Sequence, residues 1–473
     1  MHIASIGLGK LGLCSATCFA SKGHHVIGVD SNERHVDLLA RGECPIDEPG
    51  LPALLAQCRQ NMEFTTDYGY ALQNSDLTLI TVPTPSSSDG RFSNAYVEAV
   101  LARVAPALKA KEAFHVIGVV STVMPGTSER VFRPMLESLT GKVCGRDFGL
   151  LYNPEFVALG SVIHDSLYPD LVLIGASDDR SAQTARTLYS SVVESRPDYA
   201  MMSLTNAEIT KLSLNCYVTM KISFANELAS ICERVPGADV DVVTAAIGAD
   251  SRVGRKYLKG GLGFGGPCFP RDNLAFQRCA EDAGTRAHLS PRVVEVNKEI
   301  VNRLFRMVGE HALPGSTVAL LGLSYKPGTH IIEESQPVML AEQLLDAGYA
   351  VRMHDPKALR SVSEALRGRG VYCDCPYDAV TDASVVVMLT PWPEYSQLDL
   401  DRLEDQAGAL PLLIDCWRIH RNARFKKFAY RAFGTAPSPG RIPYDPYTIT
   451  LHPDDRRRAP VLGRPAVQYP ALT

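Results

Sequence analysis

The sequence predicts an α/β fold, with two mostly parallel, doubly wound sheets joined by a long central helix. Three observations carry that expectation. Apolar runs of strand length alternate with helical patterns over residues 1–200 and again over 312–435. Such alternation places helices on both faces of a parallel sheet. Between the two regions, "TNAEITKLSLNCYVTMKISFANELASICERV" is one unbroken helical pattern. At roughly thirty residues it would be about 45 Å long, more than one domain needs. The 473 residues also exceed what one small core can hold.

The elements are read in chain order. "HIASIGLG" reads as a short buried strand, "KLGLCSATCFASKG" as a helix closed by Gly23, and "HHVIGVD" as the second strand of a βαβ unit. Further strands are expected at "LTLITVP", "FHVIGVVST" and "LVLIGA". The long helix begins near Thr205, where Glu208 three residues on suggests a capping box. Residues 201–300 then form a central helical domain. "GSTVALLGLSYKPGT", a helix near 336–348, "YAVRMHDP" and "ASVVVMLTP" complete the second α/β domain. Residues 436–473 are proline-rich and aperiodic, and are expected to be a disordered tail.

Composition narrows the function classes. Hydrophobic content of 45% and charged content of 21% suit a soluble globular chain. A net charge of −4 gives no reason to expect nucleic acid or an anionic membrane as partner. Nothing reaches the length of a membrane span, and "MHIASIGLGKLG" leads into a strand rather than a signal segment. The twelve cysteines have no framework spacing, CxxC or Cys/His cluster, so no metal is expected. Reduced thiols in a cytoplasm fit best.

Gly7-x-Gly9-x-x-Gly12 follows the first strand and opens the first helix. These glycines permit a tight turn, approach of a pyrophosphate and close helix–strand packing, as in Rossmann-like domains. Asp30 closes the second strand about twenty residues later, where a carboxylate binds a ribose 2′-hydroxyl and repels a 2′-phosphate. NAD is therefore the expected cofactor, although Arg34 and His35 lie close enough to keep NADP open. Lys211 and Asn215, four apart, share one helix face; the same spacing suits a solvated face. Glu155 in "YNPEFVALG" follows a strand end, where an exposed loop acid would look alike. Lys326 in "GLSYKPGT" follows the first strand of the second domain, where open sheets bind ligands; a turn lysine would also read so. Cys268 lies in "GGLGFGGPCFPRD", a run too rich in glycine and proline for helix or strand. A thiol beside a hydride acceptor can add to an aldehyde, and the thiohemiacetal can lose hydride to become a thioester that water opens.

These residues also carry a family resemblance. "IGLGKLG", "VDSNERHVDLLARGECPIDEPGL", "VPTP", "STVMPGT", "NPEF", "AEITKLSLNCY", "GADSRVGRKYLKGGLGFGGPCFPRD", "GLSYKPGT" and "HDP" appear in order. The chain so resembles the UDP-glucose and GDP-mannose 6-dehydrogenase family over nearly all of residues 1–420. The resemblance implies that a nucleotide-sugar CH2OH is oxidised twice with NAD to a uronic acid, as in UDP-glucose to UDP-glucuronate. By the same resemblance Cys268 is the nucleophile, with Lys211 and Asp272 as catalytic neighbours. Asn215 would bind the sugar or an oxyanion, Glu155 would sit at the catalytic cleft, and Thr122 and Thr84 would lie along the cofactor. Lys259, Phe264 and Gly265 would line the nucleotide sugar, Lys326 would contact it from the third domain, and Arg252 would reach it across a homodimer or higher homo-oligomer contact. The glycines around Cys268 would let the backbone close around the substrate.

Three departures from the family pattern stand out. "NPEFVALG" has Leu159 where the family has an acid. "HIIEES" places His330, Ile331 and Glu333 where the family has two acids and an arginine. "DCWR", Asp415 to Arg418, replaces a "DGRN"-like segment. A changed nucleotide or sugar, or an NAD-binding paralogue without turnover, are the competing readings.

Overall fold

A computed structural model describes residues 1–436 of the chain; the tail expected at 436–473 lies, beyond Ala436, outside the described residues. The first sheet has eight strands: β1 His2–Ile6, β2 His25–Val29, β3 Met62–Thr65, β4 Leu77–Ile80, β5 His115–Val119, β6 Phe148–Tyr152, β7 Leu171–Ala176 and β8 Asp198–Ser203. Their order is β3-β2-β1-β4-β5-β6-β7-β8, and every pairing is parallel except β6 with β7. Strands β4, β5 and β6 are buried at every position, so they read as continuous apolar runs rather than alternating ones. Two apolar clusters cover the two faces, one around Leu13, Phe19 and Leu77, the other around Leu101, Phe132 and Leu150.

The second sheet is built from β9 Thr317–Leu321, β10 Ala350–His354, β11 Val371–Tyr372, β12 Val385–Met388, β13 Leu412–Asp415 and β14 Ala429–Ala432. Its order, β11-β10-β9-β12-β13-β14, repeats that of the first six strands of the other sheet. Crossovers leave the middle of each sheet in opposite directions, which opens a crevice at the carboxyl ends of the strands.

Five helices position the site and its supports: α1 Lys10–Ser21, α2 Asp179–Val192, α3 Leu204–Cys232, α4 Phe269–Asp282 and α5 Leu289–Gly309. The 29-residue α3 ties the two halves together. Leu204 and Ala207 at its start belong to a core of the first sheet, and Ala229 and Cys232 at its end to that of the second. Its root is close-packed, because a Cβ on Gly175 of β7 would come within 2.6 Å of the Ala207 Cβ. Helix α5 presents Ile300, Leu304, Met307 and Val308 to the second core, the three- and four-residue spacing of one buried stripe. Each large apolar side chain so buried contributes roughly 1.5–3 kcal/mol; a charge at Leu304 would break this packing.

The start of α3 corrects one expectation. The N-cap is Ser203, whose Oγ accepts from Asn206 N at 3.4 Å, and no Thr205–Glu208 capping box forms. Glu208 points elsewhere, into the first domain. Among the described residues no helix is long and apolar enough to cross a membrane.

Candidate active site

The carboxyl ends of β1, β4 and β5 open into a cleft of about 770 Å³. The glycines there do three different things. Gly7 has φ +93°, and a Cβ on it would lie 2.4 Å from Thr81 O. A Cβ on Gly12 would lie 1.9 Å from Gly7 O, so these two are required by the packing of turn, helix and neighbouring strand. Gly9 differs: a Cβ there would meet nothing within 4 Å. The backbone at Gly9 is thus open to an incoming group at the amino end of α1, where helix N–H groups favour a phosphate. Asp30 accepts from Leu8 N through Oδ2 and from Asn32 N through Oδ1, both at 2.9 Å. The glycine turn and the acid are thereby held together. His35 turns its Nε2 to Leu8 O at 2.9 Å, while Arg34 is exposed. The turn, the open approach and the carboxylate suit a dinucleotide.

The cleft continues past Thr84 and Thr122 to Glu155, Lys211, Cys268 and Arg271. Thr84 Oγ1 donates to Thr122 O at 2.7 Å, tying the loops after β4 and β5. Arg271 Nη1 donates to Thr84 O at 3.1 Å and its guanidinium lies 4.7 Å from the Phe92 ring centre. Glu208, absent from the sequence-based expectations as a site residue, accepts from Gly126 N and from Ser128 N, the latter at 2.8 Å. It is fully buried, and burial raises its pKa although both N–H groups favour the charge. From the long helix it fixes the backbone of "STVMPGT".

Cys268 is exposed to the cleft at the amino end of α4. Although the residue is open to the cleft, the protein around its sulfur displaces water and raises the thiol pKa, Asp272 raises it further, and Arg271 and Lys211 oppose them. The helix amino terminus also favours thiolate. Asp272, one turn on, is 1% exposed. Its Oδ2 accepts from Asn215 Nδ2 at 2.6 Å, its Oδ1 has no hydrogen-bond partner, and the nearest cation is Arg271 Nε at 3.7 Å. Burial raises this carboxyl, with Lys211 pulling it back.

Lys211 Nζ donates to the backbone oxygen of Glu155 at 2.7 Å and lies 4.4 Å from the Phe156 ring centre. Burial lowers its pKa, against the charges of Asp272, Cys268 and Glu155. Lys211 and Asn215 are both buried, so their shared face is not a solvated one. The Glu155 carboxyl accepts from Ser15 Oγ at 3.0 Å, and burial pushes it up to about 7. A lysine made less basic, a carboxyl titrating near neutrality and a thiol thus share one cleft, which is the equipment of proton transfer and nucleophilic addition.

The remaining expected residues are placed differently. Phe264 is buried, its N–H donates to Asn297 Oδ1 at 2.8 Å, and its ring meets Phe269 edge-on at 6.2 Å. A Cβ on Gly265 would lie 2.3 Å from Glu334 O, and one on Gly266, at φ +78°, 2.6 Å from the Tyr325 ring. Gly266 N donates to Glu333 O at 2.9 Å. The glycines flanking Cys268 are therefore demanded by the third part of the chain, and not only by whatever enters the cleft. Lys326 is half-buried in the loop five residues beyond β9; burial lowers its pKa. Lys259 is exposed. Arg252, 86% exposed, pairs with Asp250 at 2.7 Å, so neither joins the cleft within this chain.

The three departures are also accounted for. Leu159 packs with Val157 against the core around Leu13, while buried Glu48 accepts from Gly160 N and Val162 N, both at 2.9 Å. His330 Nε2 stands 3.4 Å from Lys10 Nζ of the glycine turn, and Glu333 is exposed. Arg418 is buried and joins Asp241 Oδ1 and Oδ2 at 2.8 and 2.7 Å and Gly260 O at 2.6 Å.

Comparison with known proteins agrees along the chain. Residues 1–193 match the NAD binding domain of the UDP-glucose/GDP-mannose dehydrogenase family, 205–299 its central domain and 319–422 its UDP binding domain. UDP-glucose 6-dehydrogenase AglM of Haloferax volcanii is 36% identical over 84% of this chain and 93% of its own length. UDP-glucose 6-dehydrogenase of Rhizobium meliloti is 35% identical over 91% and 98%. Among solved structures, a UDP-glucose dehydrogenase of Pyrobaculum islandicum superposes with a TM-score of 0.83 at 33% identity, covering 92% of this chain and 98% of that one. A UDP-D-ManNAc dehydrogenase of Pyrococcus horikoshii gives 0.77 at 26% identity, covering 92% and 99%. The chain belongs to the UDP-glucose/GDP-mannose dehydrogenase family, and it is an NAD-dependent oxidoreductase acting on a CH–OH group of a nucleotide sugar.

Proposed function

We propose that this family member oxidises UDP-glucose to UDP-glucuronate, with the sugar carbon held on Cys268 between two oxidations. The observation that carries the reading is the single cleft from the glycine turn to Cys268, with Lys211 and Glu155 on its wall. The names of the relatives at 36% and 35% identity support UDP-glucose as the sugar. When bound, NAD supplies the hydride acceptor for both oxidations.

Labour divides along three parts of the chain. Residues 1–200 hold NAD through Gly7, Gly9, Gly12, Asp30, Thr84 and Thr122. Residues 201–300 bring the chemistry. Lys211, made less basic by burial, accepts the hydroxyl proton as the alcohol becomes an aldehyde. The Cys268 thiolate adds to the aldehyde carbon, and the thiohemiacetal oxygen faces Lys211 and Asn215. Loss of the second hydride leaves a thioester. Water oriented by Asp272 and Thr122 attacks it, the C–S bond breaks, and carboxylate and thiol are released. One alcohol, one water and two NAD+ give one carboxylate, two NADH and three protons. Residues 312–435 contribute Lys326, which with Phe264 and Gly265 holds the nucleotide sugar; Glu155 stands where the oxidised carbon lies.

Tyr217, Phe224 and Ile231, seven residues apart on α3, are 55%, 48% and 56% exposed. Such an apolar stripe supports a homodimer along this helix, and sedimentation measures it. In a dimer, exposed Arg252 would serve the second copy's site. Twelve free thiols support a reducing compartment, taken here as the cytoplasm. A second reading, another nucleotide sugar, draws on Leu159, which places an apolar side chain where the family has an acid.

Turnover of a nucleotide-sugar panel decides between these readings. UDP-glucose should yield two NADH per sugar, and Cys268→Ala should cut uronate formation at least about a thousandfold while NAD binding persists. Uronate at the parental rate from Cys268→Ala would overturn the thioester route.

A further inference from the structure

A second cavity, of about 180 Å³, lies behind Glu155, which is on the wall of both this cavity and the cofactor cleft. The lining is mostly apolar, from residues such as Phe19, Leu173 and Val192. Three residues of its wall carry polar atoms without partners. Tyr189 is 8% exposed and its hydroxyl has no hydrogen bond; Asn153 is 2% exposed and its Oδ1 has none; Ser166 Oγ also has none. An unmet buried polar atom is costly, and proteins meet it with ordered water. The cavity has room for several water molecules, and Ser15 and Glu155 on its wall offer them partners, with the Tyr189 and Ser166 hydroxyls buried just behind its surface. Asp170 also lines it and is 84% exposed, so the cavity reaches solvent.

We propose that this cavity is the proton exit of the active site: a water chain from the Glu155 carboxyl past Tyr189 and Ser166 to Asp170 and bulk solvent. The inference rests on the double oxidation proposed above, which releases three protons per sugar into a cleft that cofactor and substrate fill. A proton leaving Lys211 or the hydrolytic water is taken by the Glu155 carboxylate on the cleft side and handed to cavity water on the other, so Glu155 is regenerated each time. The carboxyl titrates where this is possible, pushed by burial up to about 7. The groups around it leave it that role. Lys211 from α3 is the cation. Cys14 and Cys18 from α1 have thiols raised by burial and stay neutral. Tyr189 from α2 is raised well above the ordinary tyrosine value by burial, so its phenol remains a donor. Asp165 lines the cavity as well.

Two variants test the route. Ser166→Leu plugs the cavity, and Tyr189→Phe removes one hydroxyl with little change of shape. In a single turnover in weak buffer, an indicator dye reports protons while absorbance reports NADH. In the parent the two should appear together. In Ser166→Leu protons should lag NADH by about threefold or more, and imidazole, a small diffusible base, should shorten the lag. In Tyr189→Phe without substrate, the infrared carboxyl band assigned through Glu155→Gln should titrate at higher pH than in the parent. Protons in step with NADH in both variants, a lag that imidazole leaves unchanged, or an unmoved Glu155 midpoint would each overturn the proposal. The double oxidation is judged separately, by NADH counted per sugar in the parent.

Discussion

Replacing Arg418 by alanine should loosen the third part of the chain from the Cys268 loop. The side chain is 1% exposed. Its guanidinium makes a bidentate pair with Asp241 of the central helices, donates to Gly260 O, where the loop to Cys268 begins, and donates to Phe433 O at 2.7 Å. Removing one partner of a buried pair costs roughly 3–5 kcal/mol because the other charge is stranded. Here the stranding is incomplete: Asp241 is 21% exposed and keeps Arg421 at 3.0 Å. The low end, about 3 kcal/mol, is therefore expected. At about 2–4 °C per kcal/mol this lowers the Tm of the transition that involves the second sheet by roughly 6–12 °C. Arg418 also has φ +59°, a left-handed backbone that costs a non-glycine residue about 1 kcal/mol. Arg418→Gly should thus lose about 1 kcal/mol less than Arg418→Ala. Scanning calorimetry with KM for the nucleotide sugar measures both effects. A Tm change under about 2 °C with unchanged KM, or a glycine variant weaker than the alanine one, would refute the reasoning.

Three further outcomes are expected. Asp30→Ala should weaken NAD+ use by about 10- to 100-fold, the range of a lost charged hydrogen bond, and erase discrimination against NADP+; kcat/KM for each cofactor measures it. Glu208→Gln can accept from only one of Gly126 N and Ser128 N and sets an amide N–H against the other, so KM for NAD+ should rise about tenfold with a lower Tm. For Glu155 the sign comes from a folded pKa of about 7 against an ordinary 4.5: the fold favours the protonated form. Its contribution to stability is full below pH 4.5 and is lost as pH rises through 7. Denaturant unfolding should show Glu155→Gln gaining on the parent across that window, and the kcat/KM limb near pH 7 should vanish in the variant.

What could be read from the sequence was what local physics decides. The glycine turn was legible because its strand, turn and helix are contiguous, and Gly7 and Gly12 are required by atoms of that same unit or the strand beside it. The long helix was legible as 29 residues without a glycine or proline. Its cap was not. Thr205 and Glu208 have capping-box spacing, yet Glu208 finds two backbone N–H groups 80 or more residues away. Nor could spacing decide whether Lys211 and Asn215 face water, since the answer lies in Asp272, 57 residues beyond Asn215.

The glycines around Cys268 show what a loop motif leaves out. A glycine-rich loop beside a thiol suggests a backbone that something approaches closely, and the family resemblance assigns that approach to substrate. In the structure Gly265 and Gly266 meet Glu334 O and the Tyr325 ring. What approaches is the chain itself, from the loop beyond β9. The two sheets therefore clasp the thiol loop from both sides, the first through Arg271 and Thr84, the second through Gly266 and Glu333. A substitution at Gly265 or Gly266 would first push the third part of the chain away, and the Cys268 loop would lose its shape as a consequence. Domain contact and the setting of Cys268 share the same glycines. That coupling depends on residues 59 to 69 apart in sequence, which no local pattern contains.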